Sequence, residues 1–160
     1  MEIIECVKSV KVGSQLLFRK GELIDMDNPN RVPLDCGLFS INFNNPEYFR
    51  KYNQKYEVGA YLVYSDNKGS YFCRIAEFIP SSKKYHIKQV SGSFSEIVSE
   101  RDIVLVDAYH FINTEGIICT TYMGKNKMRD RWLSLSGNLF RNKKDAIAQW
   151  EKINSSNYKD

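Results

Sequence analysis

The hydrophobic pattern of the first third of the chain predicts short strands joined by polar turns. Asn45-Pro46-Glu47 combines an N-cap, a first-position proline and an early acid, which predicts a short helix over 45–52. Residues 1–54 are therefore expected to be β-rich and to form a first small barrel. The predicted strands are Ile3–Val12, Gln15–Phe18, Glu22–Met26 and Leu38–Phe43.

Residues 55–107 carry strand after strand at short spacing. Tight polar turns such as 65–69 and 91–93 separate the apolar stretches. Because five short strands cannot bury their faces as a small flat sheet, the segment is expected to close into a barrel. The predicted strands are Ala60–Tyr64, Ser70–Ile79, Lys84–Val90, Ser95–Val98 and Ile103–Val106.

Several short motifs in this segment resemble the Tudor and related SH3-like barrels. Members of that family open with a Val-Gly turn, place an aromatic pair after a glycine on the second strand, and end with an acid before an apolar pair. The likeness covers about fifty of the 160 residues and implies a small barrel. The matching positions are Val58-Gly59, Tyr64, Gly69–Ile75, Tyr85–Ile87, Glu96–Val98 and Asp102-Ile103.

The resemblance also implies capture of a methylated lysine or arginine by an aromatic cage, which needs three or four ring faces around one cation. Tyr64 and Tyr71 stand at positions similar to cage members, and Phe94 is a third candidate. Lys88 lies in the third strand, where reading members of the family carry another aromatic, and its charge would repel a cationic guest. The alternative is that these rings form the core or rim of the barrel.

The last segment, residues 108–160, begins with the pattern of a β-hairpin. Two apolar stretches, Tyr109–Asn113 and Ile117–Tyr122, flank a polar turn in which Gly116 supplies the positive φ. The run Gly137–Ala146, together with the aromatic strand before the turn, resembles a strand-strand-helix module of uncharacterised phage and mobile-element proteins. The resemblance implies a phage or mobile-element setting and carries no chemistry.

A helix is expected from Asn142, as its N-cap, to Ile153. Its apolar positions recur at three- and four-residue intervals, so one face is expected to pack on the hairpin. Both tryptophans, Trp132 and Trp150, are expected in the core. The fold class is therefore mostly β to α+β: one or two SH3-like, Tudor-like barrels plus a C-terminal β-hairpin with a packed helix.

Composition and the absence of known motifs narrow the classes of function that the chain could have. The chain is 42% hydrophobic and 26% charged, which is typical of a globular protein, and no apolar run approaches the roughly 20 residues that span a bilayer. Four well-separated cysteines and two histidines predict reduced thiols, no metal site and a cytoplasmic location, which the phage resemblance implies to be that of a bacterial host. No nucleophile or phosphate-loop motif is present, so a non-enzymatic protein without a cofactor is expected. A two-carboxylate hydrolase stays open, because such groups converge only in space.

The net charge of +4 is concentrated near the C-terminus and suggests a basic binding surface. Exposed aromatics with mixed charge favour a protein partner. The phage resemblance implies a host or phage protein, engaged by an inhibitor or by a structural or adaptor protein. The alternative is nucleic acid, held by phosphate contacts and stacking on interleaved rings. A further alternative is that the basic residues form a solvated surface that binds no partner. The sequence does not indicate the oligomeric state. The basic candidates are Lys125, Lys127, Arg129, Arg131, Lys143 and Lys144.

Overall fold

A computed structural model describes residues 2–27 and 41–156 of the chain. These residues are mostly β, as expected, with antiparallel sheets and two α-helices, α1 (Lys127–Leu135) and α2 (Lys143–Ser156). The strands are β1 (Ile3–Cys6), β2 (Val10–Val12), β3 (Gln15–Phe18), β4 (Leu23–Asp25), β5 (Phe49–Lys51), β6 (Tyr61–Asp66), β7 (Gly69–Ile79), β8 (Lys84–Gln89), β9 (Ser95–Ser99), β10 (Ala108–Ile112) and β11 (Ile118–Tyr122).

The N-terminal strands form a three-stranded sheet, ordered β4-β1-β5, and a separate β2-β3 hairpin. The strand predicted over Ile3–Val12 is interrupted between β1 and β2. Ile4, Cys6 and Phe49 are buried in one cluster with Phe18 from the hairpin, whose ring meets that of Phe49 edge to face at 5.9 Å. This cluster connects the sheet and the hairpin through apolar packing.

The helix predicted over 45–52 is wrong. The Asn45 carbonyl accepts hydrogen bonds from the amides of Tyr48 and Phe49, which closes only one turn. The chain then becomes strand β5, because Phe49 pairs with Cys6 of β1 and inserts its ring into the N-terminal cluster. Tertiary pairing overrides the local helix-start signal. Of the strand predicted over Leu38–Phe43, residues 38–40 lie outside the described residues and 41–43 are not in a strand.

The largest sheet contains β6, β7, β8 and β9 in chain order, and all four strands lie within about two residues of their predicted limits. Cys73 and Ile75 of the 11-residue strand β7 face the core. The register then shifts between Ile75 and Glu77, so Phe78 is buried and Glu77 is exposed. This bulge bends the strand and keeps one continuous apolar face along it.

The strand predicted over Ile103–Val106 is reduced to a single bridge between Leu62 and Leu105. A short 3₁₀ helix, Glu100–Asp102, follows β9 and turns the chain back toward β6. The amide of Val63 donates to the carbonyl of Val104, and the amide of Val106 donates to that of Tyr61. The segment after the 3₁₀ helix thus lies along the free edge of β6, where it covers unpaired backbone groups.

The N-terminal sheet and the four-stranded sheet share buried apolar surface. Ile3 of β1 and Leu23 of β4 belong to the same buried cluster as Ile75 and Phe78. The ring of Tyr52 stacks on that of Phe78, with 6.0 Å between centroids. Alternate residues of β1 therefore face two different cores, which explains why nearly all of this short strand is apolar.

The C-terminal segment contains the predicted hairpin, β10 and β11, and Gly116 adopts the expected positive φ of 76°. Phe140 bridges to His110, so the chain before α2 runs along the outer edge of β10. The Asn138 side chain extends this edge, since it accepts from the Ile112 amide and donates to the Ile112 carbonyl at 2.9 and 2.7 Å. One side-chain amide here replaces a strand residue.

Helix α2 begins next to the predicted N-cap, and its Lys144 amide donates to the Asn142 side chain. Ala146 is fully buried, and α2 packs on both strands of the hairpin. Trp150 is partly exposed rather than in the core as expected, and its indole N–H donates to the Gly116 carbonyl at the hairpin turn. The helix is therefore fixed to both the side and the tip of the hairpin.

Candidate functional site

Helix α1 is the element that sequence reasoning missed. The Asn126 side chain caps it by accepting a hydrogen bond from the Arg129 amide at 3.0 Å. The helix ends at Leu135, and Gly137 follows with a φ of 72°, a left-handed conformation that favours glycine. An N-cap asparagine followed by apolar residues at 128, 132 and 135 was the available signal for this helix.

The side of α1 that faces the hairpin is polar. Asp130 is 5% exposed, and its carboxylate accepts from the Tyr109 hydroxyl at 2.5 Å and from the Gly124 amide at 2.8 Å. Burial alone raises the pKa of this carboxyl, but the two hydrogen bonds and the nearby Arg129 charge outweigh burial, so the pKa lies below its usual range. Asp130 is therefore an ionised group that anchors the helix.

Arg129 also faces the hairpin, although it is one of the predicted basic binding residues. Its guanidinium donates to the Thr121 hydroxyl at 2.9 Å and lies 5.6 Å from the centre of the Phe111 ring. These contacts commit the charge to holding α1 in place. Arg129 therefore faces the hairpin and does not belong to the exposed basic surface formed by its neighbours.

The opposite side of α1 is an exposed apolar stripe formed by Met128, Trp132 and Leu135, which are 74%, 69% and 77% exposed. The spacing of four and three residues places them along one face of the helix. The expectation that Trp132 lies in the core is wrong, because Asp130 and Arg129 occupy the inward side. We call these three residues the α1 stripe.

Exposed cations border the α1 stripe. Lys127 and Arg131 line a shallow groove of about 490 Å³ together with Met123 and Leu135. Lys125 lies nearby with its ammonium 5.8 Å from the centre of the Tyr122 ring. Within the described part of the chain, none of these cations forms an ion pair. Three of the predicted basic residues, Lys125, Lys127 and Arg131, therefore flank an exposed apolar surface.

The other two predicted basic residues, Lys143 and Lys144, lie in the first turn of α2. Lys143 lines a cleft with Arg74 of β7 and Lys88 of β8, whereas Lys144 is not among the residues lining that cleft. The basic stretch of the sequence is thus divided between two places in the fold. Sequence order alone could not reveal this division, because it depends on how α2 packs against the hairpin.

The three aromatic candidates do come together. Tyr64 and Tyr71 are cross-strand partners, and the Phe94 ring stacks on both, with centroids 5.7 and 3.9 Å apart. The Tyr71 and Phe94 planes are only 4° from parallel, so these two faces are closed against each other without room for a cation between them. All three rings are partly buried and pack against the core.

The histidines and cysteines form no metal cluster within the described residues. His110 is buried beside Thr120, whose hydroxyl lies 2.9 Å from the imidazole Nδ1. Burial and, to a smaller extent, the charge of Lys143 lower the pKa of His110, so the imidazole is neutral at pH 7. Cys6 and Cys73 are buried free thiols. Burial raises the pKa of Cys73 to about 11, which leaves its thiol protonated.

Neither helix in the described residues is long and apolar enough to cross a membrane. Comparison with protein-family models, with curated proteins and with solved structures gives no match.

Proposed function

We propose that the chain is a non-enzymatic binding protein that docks another protein on the α1 stripe. The single observation that carries this proposal is the exposure of Met128, Trp132 and Leu135 on one helix face. Three large apolar side chains in water cost free energy that a partner would recover by covering them. Tryptophan and methionine are also enriched at protein interfaces.

The cations around the α1 stripe define the chemistry of this partner. Lys127 and Arg131 border the stripe on the side of the groove, and Lys125 extends the positive charge beyond the helix start. A partner that places apolar side chains on the stripe and carboxylates around its rim would complement both features. The partner is thus an acidic, amphipathic surface of another protein.

The rest of the fold serves as the platform for this helix. The four-stranded sheet, with the 3₁₀ helix Glu100–Asp102 and the returning segment that bridges Leu105 to Leu62, supports an SH3-like barrel of the Tudor type. A phage or mobile-element origin, and action in the bacterial cytoplasm on a host or phage protein, rest on the sequence resemblance of Gly137–Ala146.

Nucleic acid is the second candidate partner, because Trp132 lies exposed among Lys127 and Arg131. A single-stranded nucleic acid could stack a base on the indole and place phosphates on the cations. The two candidates differ in salt dependence, since phosphate contacts release counterions and weaken steeply as salt rises. Apolar packing on the α1 stripe is far less sensitive to salt.

Site-specific photo-crosslinking tests the proposal. A benzophenone amino acid replaces Trp132, and a control variant carries it at Val104, which is 65% exposed and lies far from α1 in the sequence. Crosslinking is done in bacterial lysate with and without nuclease. We expect one protein to be attached at position 132 and not at 104, and its sequence to contain an acidic, amphipathic segment.

A charge-reversal pair sharpens the test. Lys127→Glu with Arg131→Glu should abolish the crosslink at position 132, whereas Lys68→Glu with Lys84→Glu, both exposed and outside α1, should leave it unchanged. Attachment of nucleic acid that is prevented by nuclease treatment or by raised salt before irradiation would transfer the assignment to the second candidate. Equal labelling at positions 104 and 132 would overturn docking on the α1 stripe.

A further inference from the structure

A cleft of about 780 Å³ lies between the four-stranded sheet and the C-terminal module, away from the groove beside α1. Its charged lining comes from two neighbouring strands and a helix distant in sequence: Arg74 on β7, Lys88 on β8 and Lys143 on α2. No carboxylate lines this cleft among the residues that the structure describes. The cleft therefore concentrates positive charge without internal compensation.

The placement of Arg74 and Lys88 is unfavourable for folding. The two residues are direct cross-strand partners in the β7-β8 register. Like charges at directly opposed positions destabilise a sheet, and neither residue has an ion-pair partner within the described ranges. A pair that costs stability in the free protein is explained if an anion occupies the cleft and neutralises it.

Arg74 is also held in a fixed position at the cleft. Its Nε donates to the Gly59 carbonyl at 3.3 Å, and its guanidinium lies 5.9 Å from the centre of the Tyr61 ring. A β-carbon at Gly59 would come within 3.1 Å of the Arg74 Nη2 atom, so this glycine leaves room for the guanidinium. A guanidinium oriented before binding loses less entropy when it meets a planar or tetrahedral oxyanion.

The side of the cleft that is formed by β11 and α2 supplies the third cation. Lys143 brings the third cation from the first residue of α2, and Thr120 lines the same wall with its hydroxyl 2.9 Å from the His110 Nδ1 atom. Burial, with a smaller contribution from the charge of Lys143, lowers the pKa of His110, so the neighbouring imidazole adds no further charge. Three cations suit a group that carries several negative charges on adjacent oxygens.

We infer that this cleft binds a small phosphorylated ligand of about nucleotide size through Arg74, Lys88 and Lys143. A single carboxylate would leave two of the three cations uncompensated, whereas pyrophosphate or a nucleoside diphosphate carries enough negative charge to balance them. The volume of about 780 Å³ lies within the range of small-ligand sites. The same phosphoryl chemistry could come from the backbone of a nucleic acid, and the experiment separates these two sources.

Isothermal titration calorimetry with inorganic pyrophosphate, a nucleoside diphosphate and a single-stranded oligothymidylate tests the inference on the full chain. Lys88→Gln and Lys143→Gln should each weaken pyrophosphate or nucleotide binding by about tenfold, the usual effect of losing one charged contact. Lys84→Gln is the matched control, because it removes the same charge from the same strand outside the cleft lining. This control should leave the affinity unchanged.

A thermal melt without ligand provides a second readout. Lys88→Gln should melt at a higher temperature than Lys84→Gln, because it removes the repulsion opposite Arg74. Equal weakening of binding by Lys88→Gln and by the Lys84→Gln control, or no heat with any phosphate compound, would overturn the inference. Binding of the oligonucleotide alone, without competition by pyrophosphate, would also overturn it and would assign the cleft to nucleic acid.

Discussion

Removal of the Asp130 carboxylate should destabilise the protein more than any other change to an ionised residue of α1. The carboxylate accepts from the fully buried Tyr109 hydroxyl and from the Gly124 amide. A hydrogen bond to a charged group is worth about 1.5–3 kcal/mol, but Gly124 is an exposed residue, so its amide can regain a water partner. We therefore expect Asp130→Ala to lower the free energy of unfolding by about 2–4 kcal/mol.

The isosteric variant separates shape from charge. Asp130→Asn keeps an acceptor for Tyr109 but directs an amide N–H₂ toward the Gly124 amide, so its cost should be about 1–2 kcal/mol. The sign of the pH dependence follows from the lowered pKa of Asp130. Its stabilisation is fully present above the ordinary value of 3.8 and is lost as pH falls through the lower folded-state pKa. The difference between wild type and Asp130→Asn should accordingly shrink as pH falls below that range.

Urea unfolding at neutral pH and at about pH 3 measures both effects. Asp102→Ala is the control. Asp102 is exposed and its ion pair with Arg101 is long, at 4.0 Å, so the substitution should change the free energy of unfolding by no more than about 0.5 kcal/mol. Amide exchange along α1 should quicken in Asp130→Ala and stay unchanged in the control. An Asp130→Ala cost no larger than that of the control would refute the assignment of Asp130 as the anchor of α1.

Two further predictions concern the frame that carries the sites. Ile75→Ala removes a fully buried side chain and should cost about 2–5 kcal/mol in urea unfolding, whereas Val104→Ala at a largely exposed position should cost under about 0.5 kcal/mol. Similar costs for the two would contradict the assigned core. Asn138→Ala loses both hydrogen bonds to Ile112 and should cost about 1–3 kcal/mol, with faster exchange of the Ile112 amide. An unchanged exchange rate there would argue against the side-chain bridge.

The strands between 61 and 99 could be predicted from sequence because their signals are local. Alternating apolar residues define each strand, and the tight turn after it sets where the next strand begins. In the turn after β6, for example, the Asp66 side chain accepts hydrogen bonds from the Lys68 and Gly69 amides. The hairpin turn at Gly116 is similarly local, since only its backbone conformation is required. Such elements need no knowledge of the rest of the chain.

The errors arose where distant residues decide the outcome. Phe49 follows a good helix-start signal, yet its pairing with Cys6 across the chain makes it a strand residue. Trp132 was expected in the core because it is large and apolar, but Asp130 and Arg129 occupy the side of α1 that faces the hairpin. Hydrophobicity indicates what benefits from burial and does not show which side of a helix the fold covers.

The candidate sites were only partly accessible to the same reasoning. Lys125, Lys127 and Arg131 are close in sequence and stay together on one surface, so composition could find them. The cleft depends on the pairing of Arg74 with Lys88 and on the packing that brings up α2, neither of which is encoded by local spacing. A charge count along the chain could not have grouped residues from β7, β8 and α2.

The polar attachment of α1 separates the residues that specify the fold from those that would specify a partner. Asp130 and Arg129 hold the helix, while positions 128, 132 and 135 touch little of the protein and contribute little to its stability. Mutations can therefore accumulate at these three positions without unfolding the chain. A helix mounted in this way allows the target to change over evolution, or in a randomised library, while the scaffold stays the same.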